Sequence, residues 1–396
     1  MIGALREKFN RDYTPEKHQR LLSTVEARAG CPVKYRQSET PCFFRESDLM
    51  KMATAGQELV DSLLAHPTYL EEARATIPAK YLVPGESARP LFIQADFGMI
   101  ETANGFEPRL VEIQGFPSLY AYQGLLARAY LETYDLDASL GYYLSGLDES
   151  GYRTLLARAV CGDHDPENVI LMEIDPEHQK TLPDFKATQS MLGVPYVCIT
   201  QLKKQGRKLF YERGGTLVPV HRIYNRVIVD ELERLQVQPP FCWNEDLDVE
   251  WAGHPNWFFL LSKFSIPFFR HACVPRTQFL SEVTVLPADL ENYVVKPLFS
   301  FAGLGVVVGP SREQIEAIPT AQRSQYILQE RVDFASVIDT PHGPTKAEIR
   351  IMYLWLDELT PVNTIIRMGR GKMMGVDHNK NMEWVGASAG LIAKGA

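Results

Sequence analysis

The residues with the clearest chemical pattern lie between Tyr293 and Pro310, in the sequence YVVKPLFSFAGLGVVVGP. A β-branched run ends at Lys296, a loop with Gly303 and Gly305 follows, and a second β-branched run completes the stretch. This pattern predicts a strand, a glycine-bearing loop and a second strand. Glycine lets backbone N–H groups approach an anion closely, and a lysine on the entering strand can reach the same phosphates. The stretch therefore indicates a phosphate site, although an ordinary hairpin with a surface lysine fits the same residues.

Two common phosphate-binding motifs do not match this stretch. A P-loop ends in Gly-Lys-Ser or Gly-Lys-Thr and opens a helix, and neither feature follows these glycines. A protein kinase also places a glycine loop between strands, but no His-Arg-Asp or Asp-Phe-Gly tripeptide lies downstream of this one. Any phosphate site here must belong to another class of nucleotide-binding fold.

A second candidate site is the acid-bearing segment 92–114, FIQADFGMIETANGFEPRLVEIQ. It predicts two strands around a three-residue turn at 103–105, which is a common hairpin with a bulge at the final glycine. With that turn, Asp96 lies opposite Glu112 with Cβ atoms roughly 5 Å apart, and Gln114 lies further along the same face. Carboxylates so placed repel each other unless a cation lies between them, and these oxygens suit Mg²⁺. A two-residue turn would reverse the parity and separate the two acids. A hairpin edge with solvated acids also fits this segment.

Several basic side chains lie in or beside other predicted elements. Arg222 and Arg226 belong to a strand at 221–229 and are candidate anion contacts, because substrates often bind at the carboxyl ends of parallel strands. Arginines in such positions also form structural ion pairs. Lys263 lies in an aromatic run, where it either extends from a buried helix to solvent or serves a pocket.

The C-terminal part contributes further polar candidates. Alternation places Glu348 and Arg350 on one face of a strand, and Arg367 lies beside a glycine-rich loop. The apolar strand YILQERV exits at Gln329 and Glu330, where backbone groups could pair with an adenine edge. Upstream, the order strand, helix, strand over 168–200 predicts a parallel βαβ unit.

Length and composition bound the class of protein. The chain of 396 residues is long enough for two or three domains, with 45% hydrophobic and 23% charged residues. A net charge of −8 gives no bulk attraction to nucleic acid or to an anionic membrane. Six scattered cysteines without a Cys-x-x-Cys pair indicate reduced thiols. We expect a cytoplasmic protein without membrane or nucleic-acid partners.

The candidate motifs, taken in chain order, resemble a known family. The order is Asp96, Glu112-Ile-Gln114, His221–Arg226, Ser262-Lys263, VVKP…GLGVVVGPS and YILQERV. It is similar to the circularly permuted ATP-grasp proteins related to glutathionylspermidine synthetase, in which the metal-binding hairpin precedes the nucleotide-binding strands. The resemblance covers Phe92–Leu391 and is closest at Tyr293–Val332. It implies an α/β (α+β) fold in three parts: N-terminal helices with the metal-binding hairpin (1–145), a parallel βαβ pre-ATP-grasp domain (146–245) and the ATP-binding part (246–396).

The resemblance also implies roles for single residues. Asp96, Glu112 and Gln114 would bind Mg²⁺; Lys263 and Lys296 would contact the phosphates of ATP; Ser300, Gly303 and Gly305 of the loop Phe299–Gly305 would cover the triphosphate; Gln329, Glu330 and Val332 would flank the adenine. We expect Arg367 and Arg350 to neutralise the reacting phosphoryl group. Two positions depart from the family pattern: Gln114 replaces an asparagine, and Gln94 replaces an arginine. The second departure puts the synthetase's own substrate in doubt.

The resemblance implies an ATP-dependent carboxylate–amine ligase that forms an amide or peptide bond through an acyl phosphate. Its partners would be a small-molecule carboxylate and an amine, and the sequence does not specify which ones. Two alternatives stay open. One is an ATP-grasp phosphotransferase that acts on a small molecule, and the other is a catalytically silent nucleotide-binding protein, which the changes at Gln94 and Gln114 would fit.

Overall fold

The computed structural model of the chain describes residues 2–103, 105–300 and 303–393. The α-helices are α1 (Gly3–Asp12), α2 (Pro15–Ala29), α3 (Glu46–Leu64), α4 (Tyr69–Ala75), α5 (Tyr122–Thr133), α6 (Glu149–Cys161), α7 (Leu182–Leu192), α8 (Val229–Leu235), α9 (Trp257–Leu260), α10 (Arg312–Glu316) and α11 (Val376–Asn379). The strands are β1 (Cys42–Arg45), β2 (Phe92–Thr102), β3 (Gly105–Gln114), β4 (Val169–Glu173), β5 (Tyr196–Cys198), β6 (Lys203–Gln205), β7 (Lys208–Arg213), β8 (Thr216–Val220), β9 (Arg222–Asn225), β10 (Glu250–Ala252), β11 (Thr277–Phe279), β12 (Tyr293–Pro297), β13 (Val307–Val308), β14 (Tyr326–Glu330), β15 (Lys346–Trp355), β16 (Leu359–Gly369), β17 (Gly386–Ser388) and β18 (Gly390–Ala393). Short 3₁₀ helices span Ala79–Tyr81, Pro166–Asn168, Pro176–His178, Ile199–Gln201, Lys263–Phe268, Leu280–Glu282, Leu290–Asn292 and Thr320–Gln325.

An antiparallel sheet of order β17-β16-β15-β2-β3 forms the centre of the fold. Because side chains alternate along a strand, β2 presents apolar residues such as Ile93 and Phe97 to one face and polar ones to the other. The apolar face packs on α3, where the Tyr353 hydroxyl donates to Ala53 O at 2.9 Å. A Cβ on Gly56 would lie 2.1 Å from that hydroxyl oxygen, so only glycine fits there. The opposite face carries the buried polar residues Gln94 and Asp96.

The hairpin of β2 and β3 has the predicted acid pairing but not the predicted turn. Thr102 pairs with Gly105, which is the shorter turn, and Asn104 lies outside the described residues. A register shift between Asp96 and Phe97 then leaves Val111 as an extra residue in β3. This bulge restores the parity, so Asp96 lies opposite Glu112 after all.

The sheet that contains the glycine loop has the order β11-β14-β12-β13 and is antiparallel. Val294 and Val295 pair with Val308 and Val307, so the predicted strand, loop and strand are confirmed. Gly303 and Gly305 have φ values of 76° and 73°, in the left-handed region that glycine adopts without strain. Residues 301 and 302 of the same loop are not among those described.

A parallel sheet of order β10-β9-β4-β5 forms a further layer. Its β4, α7 and β5 form the predicted βαβ unit, and its outer strand β10 extends the sheet beyond residue 245. The remaining strands form a small antiparallel sheet, β6-β7-β8, and a parallel pair of β1 with β18. In the described parts of the chain, no helix combines the length and apolarity needed to span a bilayer.

Helix α5 begins at Tyr122. The backbone N–H groups of Ala121 and Tyr122 both donate to Asp184 Oδ1 of α7 at 3.0 Å. A side chain from another helix therefore fills the role of the N-cap.

Replacing Asp184 by alanine should destabilise the fold by about 1–2 kcal/mol, because both N–H groups would lose their acceptor. Urea unfolding with an unchanged m-value would measure this. Asp184→Asn retains one carbonyl oxygen as an acceptor, so it should lower the free energy of unfolding by less than Asp184→Ala. Equal stability of the alanine variant and the parent protein would refute the capping role.

Candidate functional site

Two buried lysines meet where the glycine-loop sheet faces the central sheet. Lys296 Nζ, on β12, donates to Val111 O at 2.9 Å. Lys263 Nζ donates to Ser300 O at 2.6 Å and lies 3.5 Å from Glu112 Oε1. Lys296 and Lys263 are only 7% and 5% exposed. The acid-bearing hairpin and the glycine loop, which lie about 180 residues apart in sequence, therefore border one site.

The surroundings of Lys296 lower the pKa of its ammonium group. Desolvation lowers the pKa of Lys296 to about 8, and the Lys263 charge acts in the same direction, while Glu112 opposes the shift. An anion bound beside Lys296 would raise that pKa again, because it would stabilise the ammonium. The site therefore favours an anionic ligand, whose negative charge would stabilise the ammonium group of Lys296.

Asp96 is bound by two arginines from the neighbouring strands. Arg350 donates from Nη2 to Asp96 Oδ2 at 2.6 Å and from Nε to Oδ1, and Arg367 also donates to Oδ2. Desolvation alone would raise the pKa of Asp96, but the charges of the two arginines exceed that effect and lower it. The carboxylate is therefore held ionised as an anchor for guanidinium groups.

Arg367 is held between two acids and keeps one unused donor. It forms ion pairs with Asp96 and Glu348, and its Nε is buried without a partner. Burial raises the pKa of Glu348, while Arg367 opposes that effect. A buried guanidinium N–H without an acceptor is costly, so a bound oxygen anion would complete this arrangement.

The predicted metal ligands do not form a cluster of carboxylates. Within the described residues no group of three or more His, Cys, Asp or Glu side chains is arranged to hold a metal ion. The carboxylate of Asp96 is occupied by arginines, Glu112 faces Lys263, and the Gln114 amide donates to Gln94 Oε1 at 2.9 Å. Gln94 Oε1 also accepts from Arg350 Nη1 at 2.9 Å. The magnesium roles of Asp96, Glu112 and Gln114 stay predictions.

Of the residues predicted to flank adenine, Gln329 and Glu330 lie on opposite faces of β14, and Val332 follows the strand. Gln329 lies on the Lys296 side, is 1% exposed, and its Nε2 has no partner. Glu330 turns to the opposite side and forms an ion pair with Arg276. Glu330 and Val332 line a cavity of about 570 Å³. Ser300 Oγ, at the start of the glycine loop, is another buried atom without a partner.

A second polar cluster lies at the carboxyl ends of β4 and β9. Arg226 is 3% exposed, its Nε and Nη1 lack partners, and its guanidinium carbon lies 5.4 Å from the centre of the Phe116 ring. Burial raises the pKa of Glu173 to about 8 and raises that of Asp184, while Arg226 opposes both shifts. Sequence reasoning found Arg226 but missed Glu173, whose only signal is an acid at the end of an apolar strand.

Arg222, the other arginine of this strand, has a structural role. It donates from Nη1 to Glu250 at 2.6 Å and from Nε to Val160 O at 3.0 Å. Of the two predicted anion contacts, only Arg226 therefore keeps buried N–H donors without a partner.

The comparison with solved structures shows the fold. No protein-family model and no curated protein sequence matches the chain. The structure is similar to that of a glutathione synthetase-like effector, GSS30, from Globodera pallida in its apo form. The TM-score is 0.57 at 11% sequence identity, over 95% of this chain and 96% of that chain. The chain thus has a mixed α/β fold, which it shares with this effector over nearly the whole length of both chains.

Proposed function

We propose that the protein is an ATP-dependent carboxylate–amine ligase with a circularly permuted ATP-grasp fold. The observation that carries this proposal is the meeting of Lys263 and Lys296 with Glu112 between the two sheets. The likeness to a glutathione synthetase-like protein supports it at the level of the fold. A cytoplasmic location and small-molecule carboxylate and amine partners belong to the same proposal.

The unsatisfied groups of the site fit a nucleotide. Lys263 and Lys296 supply two buried positive charges suited to phosphate oxygens. Ser300 Oγ lies four residues after Lys296, and Gln329 lies on β14, which pairs with the strand of Lys296. Ser300 Oγ and Gln329 Nε2 are both buried without partners, and a polar ligand would satisfy them. We assign the phosphates to Lys263, Lys296 and Ser300, and the base to Gln329.

The donor set fits Mg²⁺ at Glu112 but not at Asp96. Glu112 is the more accessible acid, with 27% of its side chain exposed, and Gln114 lies two residues further along β3. Asp96 could ligate a cation only after its ion pairs with Arg350 and Arg367 had been broken. When bound, Mg²⁺ would neutralise charge on phosphate oxygens. We propose that Asp96 instead positions Arg350 and Arg367 toward the reacting phosphoryl group.

The second polar cluster fits one of the condensing substrates. The unpaired N–H groups of Arg226 would bind a carboxylate, and Glu173 beside it would bind an ammonium group. The site lies at the carboxyl ends of parallel strands, where substrates commonly bind. Phe116, two residues after Gln114, contacts the Arg226 guanidinium and links this cluster to the acid-bearing hairpin.

One observation favours the alternative of a catalytically silent nucleotide-binding protein. Asp96 is bound by arginines and Gln114 donates to Gln94, so among the three predicted metal ligands only Glu112, which itself faces Lys263, offers an accessible carboxylate. A phosphotransferase would need the same nucleotide site as a ligase, so the geometry does not separate those two.

Incubation with ATP, Mg²⁺ and pools of carboxylates and amines distinguishes the ligase, the phosphotransferase and the silent nucleotide-binding protein. The ligase proposal expects ADP, phosphate and a product whose mass is the sum of an acid and an amine less water. ADP with a phosphorylated metabolite and no condensed product would establish the phosphotransferase. Nucleotide binding without ADP formation from any pool would establish the silent protein.

A further inference from the structure

A side-chain relay lies outside the proposed ligase site, at the outer edge of the central sheet. His271 Nδ1 is 3.0 Å from Cys273 Sγ, and His271 Nε2 is 3.0 Å from Glu58 Oε2. The Cys273 backbone N–H also donates to Nδ1, at 3.2 Å. Because that N–H can only donate and a carboxylate can only accept, a neutral imidazole carries its proton on Nε2. Nδ1 therefore faces the thiol as an acceptor.

The sulfur end of the relay is enclosed, and the carboxylate end is open. Cys273 is 6% exposed and belongs to the main apolar core, whereas 58% of the Glu58 side chain is exposed. Burial raises the pKa of the Cys273 thiol to about 11, although the Arg109 charge opposes the shift. Little thiolate exists at neutral pH, so a reaction at sulfur needs a base that takes the proton during the attack. His271 is in position to be that base.

We propose that Cys273 is a modification site at which a small peroxide oxidises the thiol to a sulfenic acid, with His271 as base and Glu58 orienting the imidazole. Sulfur attacks one peroxide oxygen, and the S–O bond forms as the O–O bond breaks. The thiol proton passes to His271 Nδ1 and then to the leaving oxygen, which departs as water or an alcohol. Sulfur loses the two electrons that the peroxide gains. Because Cys273 is only 6% exposed, hydrogen peroxide should reach its sulfur more readily than a bulky disulfide.

The site is tied directly to the edge of β3. Cys273 O accepts from the Leu110 N–H at 2.7 Å, and Arg109 donates to Ala272 O. Leu110 precedes Val111, the residue whose carbonyl accepts from Lys296. An oxygen atom added at this sulfur must therefore be accommodated in the core beside the hairpin.

The chain contains a matched control. Cys161 is 7% exposed, almost the same as Cys273, and burial likewise raises the pKa of its thiol. In the described part of the chain, the sulfur bonded by an imidazole nitrogen is that of Cys273 and not that of Cys161. The two thiols are thus almost equally buried, and they differ in that the Cys273 thiol has His271 beside it as a base.

The test exposes the folded full-length protein to a few equivalents of hydrogen peroxide. Catalase stops the reaction, the protein is unfolded in denaturant containing dimedone, and peptide mass spectrometry quantifies each adduct. Trapping after unfolding removes any effect of dimedone access. We expect at least about ten times more adduct at Cys273 than at Cys161, because general base catalysis typically contributes 10²–10⁴-fold.

Two variants test the relay itself. His271→Gln should bring the ratio of Cys273 to Cys161 adduct close to one, and Glu58→Gln should lower it several-fold. Glu58 is exposed on α3, so its variant should fold like the parent protein even if the histidine variant does not. A ratio near one in the parent protein, or an unchanged ratio in the Glu58→Gln variant, would overturn the proposal.

Discussion

Replacing Lys296 by methionine is expected to weaken the binding of ATP with Mg²⁺ by about ten- to a hundredfold. A hydrogen bond to a charged group contributes about 1.5–3 kcal/mol, and each 1.4 kcal/mol is tenfold in affinity. Methionine keeps the length and apolar stem of the buried side chain, so the loss isolates the ammonium group. Isothermal titration calorimetry at pH 7 measures the effect.

The exposed Lys208 on β7 provides the control, because it lies on a different sheet from the site. Lys208→Met should bind nucleotide like the parent protein. Unchanged affinity in the Lys296→Met variant would remove the nucleotide assignment and the ligase proposal with it.

The same variant also has a signature in the pH dependence of stability. The pKa of Lys296 is about 8 in the folded protein against an ordinary 10.5, so between these pH values the unfolded state binds more protons. The free energy of unfolding of the parent protein, relative to Lys296→Met, should therefore rise with pH across this window, by about 3 kcal/mol at most. Urea unfolding of both proteins at pH 7.5 and pH 10 measures this difference.

The second large effect is expected on stability. Asp96→Asn should lower the free energy of unfolding by about 3–5 kcal/mol at pH 7, because the buried Arg350 and its neighbour Arg367 would lose their common counter-charge. Since the pKa of Asp96 is lowered in the folded state, its stabilising contribution is present above its ordinary pKa of 3.8 and is lost as pH falls below that value. The two proteins should therefore converge in acid.

An exposed ion pair serves as the comparison for Asp96. Asp357 pairs with Arg158 at 3.0 Å, but 83% and 53% of these side chains are exposed. Asp357→Asn should change the free energy of unfolding by less than about 1 kcal/mol. An equally small change in Asp96→Asn would show that the arginine network contributes little to the fold.

The elements that local signals specify were predicted correctly. The β-branched runs on either side of Gly303 and Gly305 gave a correct strand, loop and strand, because pairing and turn residues are encoded within a few positions. The βαβ unit around α7 followed from the same kind of local pattern. The Asp96–Glu112 pairing was also correct, although the turn assumed for it was wrong.

Contacts between distant segments could not be predicted. The bulge at Val111 depends on neighbouring strands, and nothing within the hairpin sequence specifies it. Arg350 lies 254 residues from Asp96, and Glu58 lies 213 residues from His271. No pattern of spacing along the chain reports such pairs, so neither the arginine anchor nor the thiol relay was visible in the sequence.

The bulge at Val111 has a consequence for how this hairpin tolerates change. Contacts on both sides hold the base of the hairpin: β15 pairs with β2, and Gly115 N–H donates to Leu261 O at 2.8 Å. The unpaired residue separates this anchored base from the half that ends in the turn. Insertions or deletions in the outer half can then be absorbed as a longer or shorter tip, while the acids keep their partners. The inner segment belongs to the site, and the outer segment has contacts of its own, with Leu110 N–H donating to Cys273 O and Ala335 N–H donating to Met99 O.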